Sequence, residues 1–200
     1  MSSPNWESVE LLRDQLWRRS IRGQITDDVS ALEYLEDVGF ALALSGSVGG
    51  LPSMWVAACG ERDPAFPTHT HHDPYVGLCW GLKDTLVAEK RAFYGQLLRG
   101  KPSFVSLSWL STLLAAHDSP KLSANASKAA DALRSSCPLT TNELREHAGL
   151  LDRKTTTAAL GEVQQALVGV KVEERAKPFT FVWDSVDVAW PDRLFRMLKA

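Results

Sequence analysis

Apolar residues recur at helical spacing over most of this chain, and the exceptions are short. Val9, Leu12 and Leu16, with Trp17 beside them, predict a first helix over roughly residues 6–19, stopped by Gly23. Thr26 reads as the N-cap of a second helix, with Asp27 and Asp28 in the first turn, where carboxylates favour the helix dipole. Its apolar positions are Val29, Leu32, Leu35 and Val38, and Gly39 ends it. Residues 40–44 predict a short buried strand and 45–50 a turn. Leu51-Pro52-Ser53 then launches a short helix through Ala58, with Pro52 suited to its first turn.

The middle of the chain opens on a proline-rich, irregular stretch from Asp63 to Pro74. Residues 83–98 predict a strong helix, with Leu82, Leu86, Ala92 or Phe93, and Leu97 on one side and Gly100 and Pro102 closing it. A short strand is expected at 104–107 and a helix at 109–116. The polar run HDSPKLSANAS at 117–127 suits a linker. It divides the chain into an N-terminal lobe, 1–118, and a C-terminal domain, 119–200.

That C-terminal domain carries the clearest pattern. A helix at 127–135 precedes Pro138, and Thr140 with Glu143 offers a capping pair for a helix that runs to His147. After a turn at Gly149, a long helix is expected at 153–168, with Ala159, Val163 and Leu167 in register. Residues 170–172 and 179–183 read as strands joined by a charged loop, 173–178, and a last helix is expected at 191–198. Helix, helix, turn, helix, strand, loop, strand is the order of a winged helix. The fold class is therefore mainly α with short β strands, in tandem winged-helix-like (helix-turn-helix) units, the first of them carrying the basic helix at 83–98.

Charge refines the picture. With 22 Lys+Arg against 24 Asp+Glu, the net charge of −2 excludes a histone-like polycation and an acidic tail. Residues 1–60 hold 4 basic and 8 acidic side chains, whereas residues 121–200 hold 12 and 10. Any nucleic-acid face must then come from local patches. The start has no basic and apolar leader, and no apolar run approaches a membrane span, so a cytoplasmic protein without membrane contact is expected. Three widely spaced cysteines, Cys59, Cys79 and Cys137, fit a reduced compartment rather than a disulfide scaffold.

The most specific candidate chemistry lies at the start of the long C-terminal helix, where Arg153, Lys154, Thr155, Thr156 and Thr157 stand where a recognition helix meets a groove. Cations and hydroxyls there suit phosphate oxygens and base edges, and Lys171, Arg175 and Lys177 on the wing could reach the flanking backbone. Asp152, Glu173 and Glu174 dilute the patch, and winged helices also serve as packing or protein-contact modules. Residues 83–101 hold 5 basic against 2 acidic side chains beside Phe93 and Tyr94. Lys90, Arg91, Arg99 and Lys101 there form a second candidate surface, unless the helix is a half-buried one with a solvated basic face.

His69, His71, His72 and Asp73 form the most conspicuous polar cluster. Such residues bind zinc when they converge, but all four sit within five positions, where alternate side chains diverge. A rigid loop between Pro67 and Pro74, with histidines capping backbone groups, is the competing reading, so neither a metal nor another cofactor is expected. Seven tryptophans spread evenly along the chain suit anchors of a two-lobed core. Cys79 beside Trp80 reads as buried and inert. No nucleophile elbow, phosphate loop or dinucleotide fingerprint is present.

Phe40 onward with Leu51-Pro-Ser-Met-Trp55, His71-His-Asp-Pro74, Trp80-Gly-Leu-Lys-Asp84, the run from Tyr94 to Pro102, and Val182-Trp-Asp184 together resemble a group of bacterial winged-helix proteins. That group looks related to the AlkZ/YcaQ-like DNA glycosylases, which excise alkylated bases and unhook crosslinks. The resemblance to the bacterial group covers nearly the whole chain, whereas the link to the glycosylases rests on winged-helix character. It implies tandem winged helices and DNA binding. The glycosylases carry a catalytic Gln-x-Gln, Gln-x-Asp or Gln-x-Arg motif, and the segments beginning at Gln15, Gln24, Gln96, Gln164 and Gln165 all miss it. No catalytic residue carries over.

The expected function is binding of double-stranded DNA without catalysis. One alternative is a divergent base-excision glycosylase with His72 or Asp73 activating water. Another is a scaffold that binds protein or forms a homodimer.

Overall fold

Side-chain caps decide where most helices of this protein begin. The computed structural model of the chain describes residues 5–44, 50–98, 100–116 and 121–190. Helix α1 is Trp6–Leu16, with the Asn5 side chain accepting from the Glu7 N–H. Helix α2 is Asp28–Val38, and its N-cap is Asp27 rather than Thr26, because Asp27 and Ser30 form a reciprocal capping box. Strand β1 is Phe40–Leu42, and helix α3 is Met54–Cys59, capped by Ser53. Pro52 lies ahead of that cap rather than inside the first turn, and its carbonyl accepts from the Leu42 N–H at 2.9 Å. The turn expected at 45–50 falls mostly outside the described residues, as do the helix expected at 191–198, the first part of the linker at 117–127 and the side chain of Arg99.

The largest departure from the hydrophobic pattern is the basic helix expected at 83–98. Helix α4 is Pro74–Ala88, and strands β2, Ala92–Leu98, and β3, Lys101–Ser106, follow as a hairpin. Phe93 enters one core cluster while Ala92 and Tyr94 face another. A strand buried on both faces shows no polar alternation, so its apolar run mimics a helix. Helix α5 is Leu107–Ala116 and α6 is Ala124–Ser136.

Strand β4, Leu139–Thr140, precedes α7, Thr141–His147, whose capping box joins Thr140 and Glu143 as the spacing predicts. Helix α8 is Arg153–Gln165, started by Asp152. Strands β5, Gly169–Ala176, and β6, Phe179–Ser185, are longer than their apolar centres. Residues 173–176, expected in a loop, pair in register with 179–182. Their charged side chains are exposed, which hides the strand from a hydrophobic pattern. A short helix α9, Val186–Ala189, follows.

The protein is thus mainly helical with two small antiparallel sheets, ordered β1-β3-β2 and β4-β6-β5. Ile25, Tyr34, Leu35, Trp55 and Leu86 build one core cluster, and Leu133, Leu144, Leu160, Val163 and Trp183 a second. A third cluster draws Phe93, Val105 and Leu110 together with Leu167, Val170, Val186 and Trp190. Residues from both sides of the linker therefore share one apolar core.

Two expectations about burial are overturned. Leu12 and Leu16 of α1 are exposed, and the helix instead buries Asp14 against Arg19 and Arg62. Trp55, Trp183 and Trp190 are buried, whereas Trp6, Trp80 and Trp109 are substantially exposed. Cys79 is buried as expected, and burial pushes its thiol up to about 12. Among the described residues, no helix is long and apolar enough to cross a membrane.

Candidate nucleic-acid interface

Asp152 fixes the start of α8 by accepting from the Thr155 N–H at 2.7 Å. Arg153, Lys154 and Thr157 are exposed there. Thr156 is 1% exposed and its hydroxyl donates to the Asp152 carbonyl at 2.8 Å. The Thr157 hydroxyl donates likewise to the Arg153 carbonyl at 2.9 Å. Thr156 and Thr157 therefore spend their hydroxyl donors on the helix itself, whereas the exposed Arg153 and Lys154 have no ion-pair partner among the described residues.

Beside this turn opens a cleft of about 520 Å³. Arg145 of α7, Arg153 of α8 and Lys171 of β5 contribute its charge, and no Asp or Glu among the described residues lines it. Among the described residues neither arginine has an ion-pair partner. Three cations in a cleft that no Asp or Glu among the described residues lines make a local positive field on a chain whose net charge is negative.

Aromatic rings form another wall. Phe179, Phe181 and Trp183 alternate along β6 and so share one face, with ring centroids 5.3 Å and 6.4 Å apart in edge-to-face contacts. The Trp183 indole donates to the Thr141 hydroxyl at 3.0 Å. The Lys171 ammonium sits 3.7 Å from the Phe181 ring centroid and 5.4 Å from that of Trp183. Burial pushes Lys171 down to about 8, with Glu174 opposing and Lys83 adding to the shift.

The far side of the cleft comes from β2. Gln96 lines it, and Gln164 of α8 closes against Gly95, where an added Cβ would lie 3.1 Å from Gln164 Nε2. That amide nitrogen is buried and has no hydrogen-bond partner among the described residues. Strand β2 thus covers the C-terminal half of α8 and leaves its first turn open.

The remaining sequence candidates are scattered. Arg175 is exposed and held by Glu173 of its own strand at 2.9 Å and 3.0 Å. Lys177 is exposed at the tip of the β5–β6 hairpin. Lys90 is exposed after α4, Arg91 is committed to ion pairs with Asp28 and Glu89, and Lys101 is exposed at the start of β3. They do not share a helix face, since the helix meant to present them is a hairpin.

The histidine cluster does not converge. His69, His71 and His72 are exposed around a single 3-10 turn, with the rings of His71 and His72 4.1 Å apart at their centroids. The Asp73 carboxylate caps α4 by accepting from the Val76 N–H at 2.8 Å. Among the described residues, no group of three His, Cys, Asp or Glu side chains could hold a metal ion.

Reading the sequence alone missed Arg145, Gln96, Gln164 and the aromatic wall. The alternation at 179, 181 and 183 was a usable signal, whereas the approach of Gln96 to α8 is visible only in the folded chain.

A mainly helical protein with a cationic, aromatic-walled cleft between helices α7 and α8 and the second sheet is the class that this geometry defines. The chain belongs to the AlkZ-related family, whose model matches residues 25–178. No curated protein and no solved structure matches it.

Proposed function

We propose that this protein binds DNA, in the service of a repair-type function, through the cleft at the start of α8. The observation that carries the reading is the convergence of Arg145, Arg153 and Lys171 without a carboxylate, in a chain of the AlkZ-related family. In this reading, α6, β4, α7, α8 and the β5–β6 hairpin form a C-terminal winged helix, with residues 1–118 as a second, winged-helix-like lobe. Helix α8 meets duplex DNA through its first turn, and Lys154 and Lys177 extend the contact to flanking phosphates.

A base-excision reading draws on the same cleft. Gln96 and Gln164 reach it from separate elements, and the unpartnered amide of Gln164 is suited to hold a water. Release of methylated bases from duplex DNA, leaving abasic sites and lost in Gln164→Ala, would support it. His72 and Asp73 do not line this cleft and have no part in that reading.

The test is fluorescence anisotropy of a labelled duplex at about 50 mM and about 200 mM salt. Affinity should fall between them by about tenfold to a thousandfold, the range for a handful of phosphate contacts. Absence of binding at both salts would overturn the reading and leave a protein-contact scaffold.

A further inference from the structure

We propose that Lys171 is an amine nucleophile for an aldehyde at the end of the cleft, and that the aldehyde is the ring-opened C1′ of an abasic deoxyribose in DNA. The inference rests on the DNA-binding reading above and adds a covalent activity to it.

The placement of Lys171 is unusual for a lysine in a β-hairpin. It stands at the wall between the cationic cleft and a second cleft of about 400 Å³ that runs between α4 and β5. Aromatic rings lie under its ammonium, and among the described residues no carboxylate comes within ion-pair distance of it. Glu174 on the same strand pairs instead with Lys83 at 2.7 Å, and Glu173 with Arg175. A lysine meant only to hold two elements together would carry such a pair itself.

Arg145 and Arg153 line the same cleft, where the phosphates on either side of a missing base would be held. Burial adds the chemical condition. An amine lowered to about 8 is free near neutral pH far more often than an ordinary lysine.

The step balances without a cofactor. The neutral amine adds to C1′, the carbinolamine takes up a proton from solvent and loses water, and a protonated imine remains. A proton leaves C2′ to solvent and the 3′ phosphate departs with its bonding pair, cutting the strand. Water then hydrolyses the imine and returns the free amine.

The experiment is borohydride trapping of the full chain on a duplex with one abasic site, with binding of that duplex measured by anisotropy without reductant. Reduction should give a covalent protein–DNA adduct that peptide mapping places on Lys171. Lys171→Arg should lower adduct yield at least tenfold, and Lys128→Arg, on α6 and outside the cleft lining, should leave it unchanged. Mapping on the wild-type chain decides the matter even if the Lys171 variant fails to fold. Binding without an adduct, or an adduct on another amine, overturns the role of Lys171 and spares the DNA-binding reading. No binding overturns both.

Discussion

The Trp190 indole N–H donates to the carbonyl of Lys90 at 2.9 Å, and this bond ties the residue that ends α9 to the bend between α4 and β2. Lys90 holds a left-handed backbone, φ 53°, where the chain turns out of the helix. Trp190 also packs 6.0 Å from Phe93, centroid to centroid, inside the core cluster that both sides share. Trp190→Phe should keep the packing and lose the bond, costing about 1–2 kcal/mol. Trp190→Ala should cost about 3–5 kcal/mol. Urea denaturation of the three chains measures both.

Two glycines separate crowding from backbone strain. A Cβ at Gly169 would meet Val163 Cγ1 at 2.6 Å and Leu133 Cδ1 at 2.7 Å, so Gly169→Ala should destabilise the second core by about 1–3 kcal/mol. Gly149 has open space around it but φ +60°, so Gly149→Ala should cost only about 1 kcal/mol, all of it conformational. Equal losses in the denaturation midpoint would contradict the packing described around Gly169.

Asp14 gives an acid-dependent term. The Arg62 guanidinium holds its carboxyl below the usual range, and Arg19 Nε stands 3.0 Å away as an ion pair without hydrogen-bond alignment. A carboxyl whose folded pKa is depressed contributes stability above its unfolded pKa and loses it as pH falls through the folded pKa. Asp14→Ala should therefore cost about 2–3 kcal/mol near pH 7, and the gap to wild type should close below about pH 4. Thermal melts across that range measure the gap, and a constant difference would assign the loss to packing.

Arg145→Glu combined with Arg153→Glu places two carboxylates in the cleft. Duplex affinity near 50 mM salt should drop at least tenfold, and the salt slope should flatten by about 0.9 for each lost phosphate contact. Lys128→Glu on α6 should change neither. Unaltered binding by the double variant would move the interface away from the cleft.

Much of the fold was legible along the chain because its signals are local. Thr140 and Glu143 cap α7, Asp152 opens α8, and Gly39, φ +78°, ends α2, each through contacts within a few residues. Arg153 and Lys154 were legible for the same reason, since a helix start exposes its first turn wherever it lies. The sequence by itself thus determined the order of helices in the C-terminal half, the capped start of α7 and the cations at the start of α8.

The tertiary structure alone decided the rest. Phe93 reads as part of the apolar side of a helix until β3 pairs with β2 and two cores cover the strand's opposite faces, Phe93 on one and Ala92 and Tyr94 on the other. The exposed Leu12 and Leu16 and the buried Asp14 invert the expected face of α1, because Arg19 and Arg62 compensate a carboxylate from distant positions. Lys171 looked like one wing cation among three, and only burial among Phe181, Trp183 and α4 gives it a lowered proton affinity. Caps and turns act over a few residues and are written in order, whereas pairing, desolvation and cleft charge are sums over groups that only folding brings together.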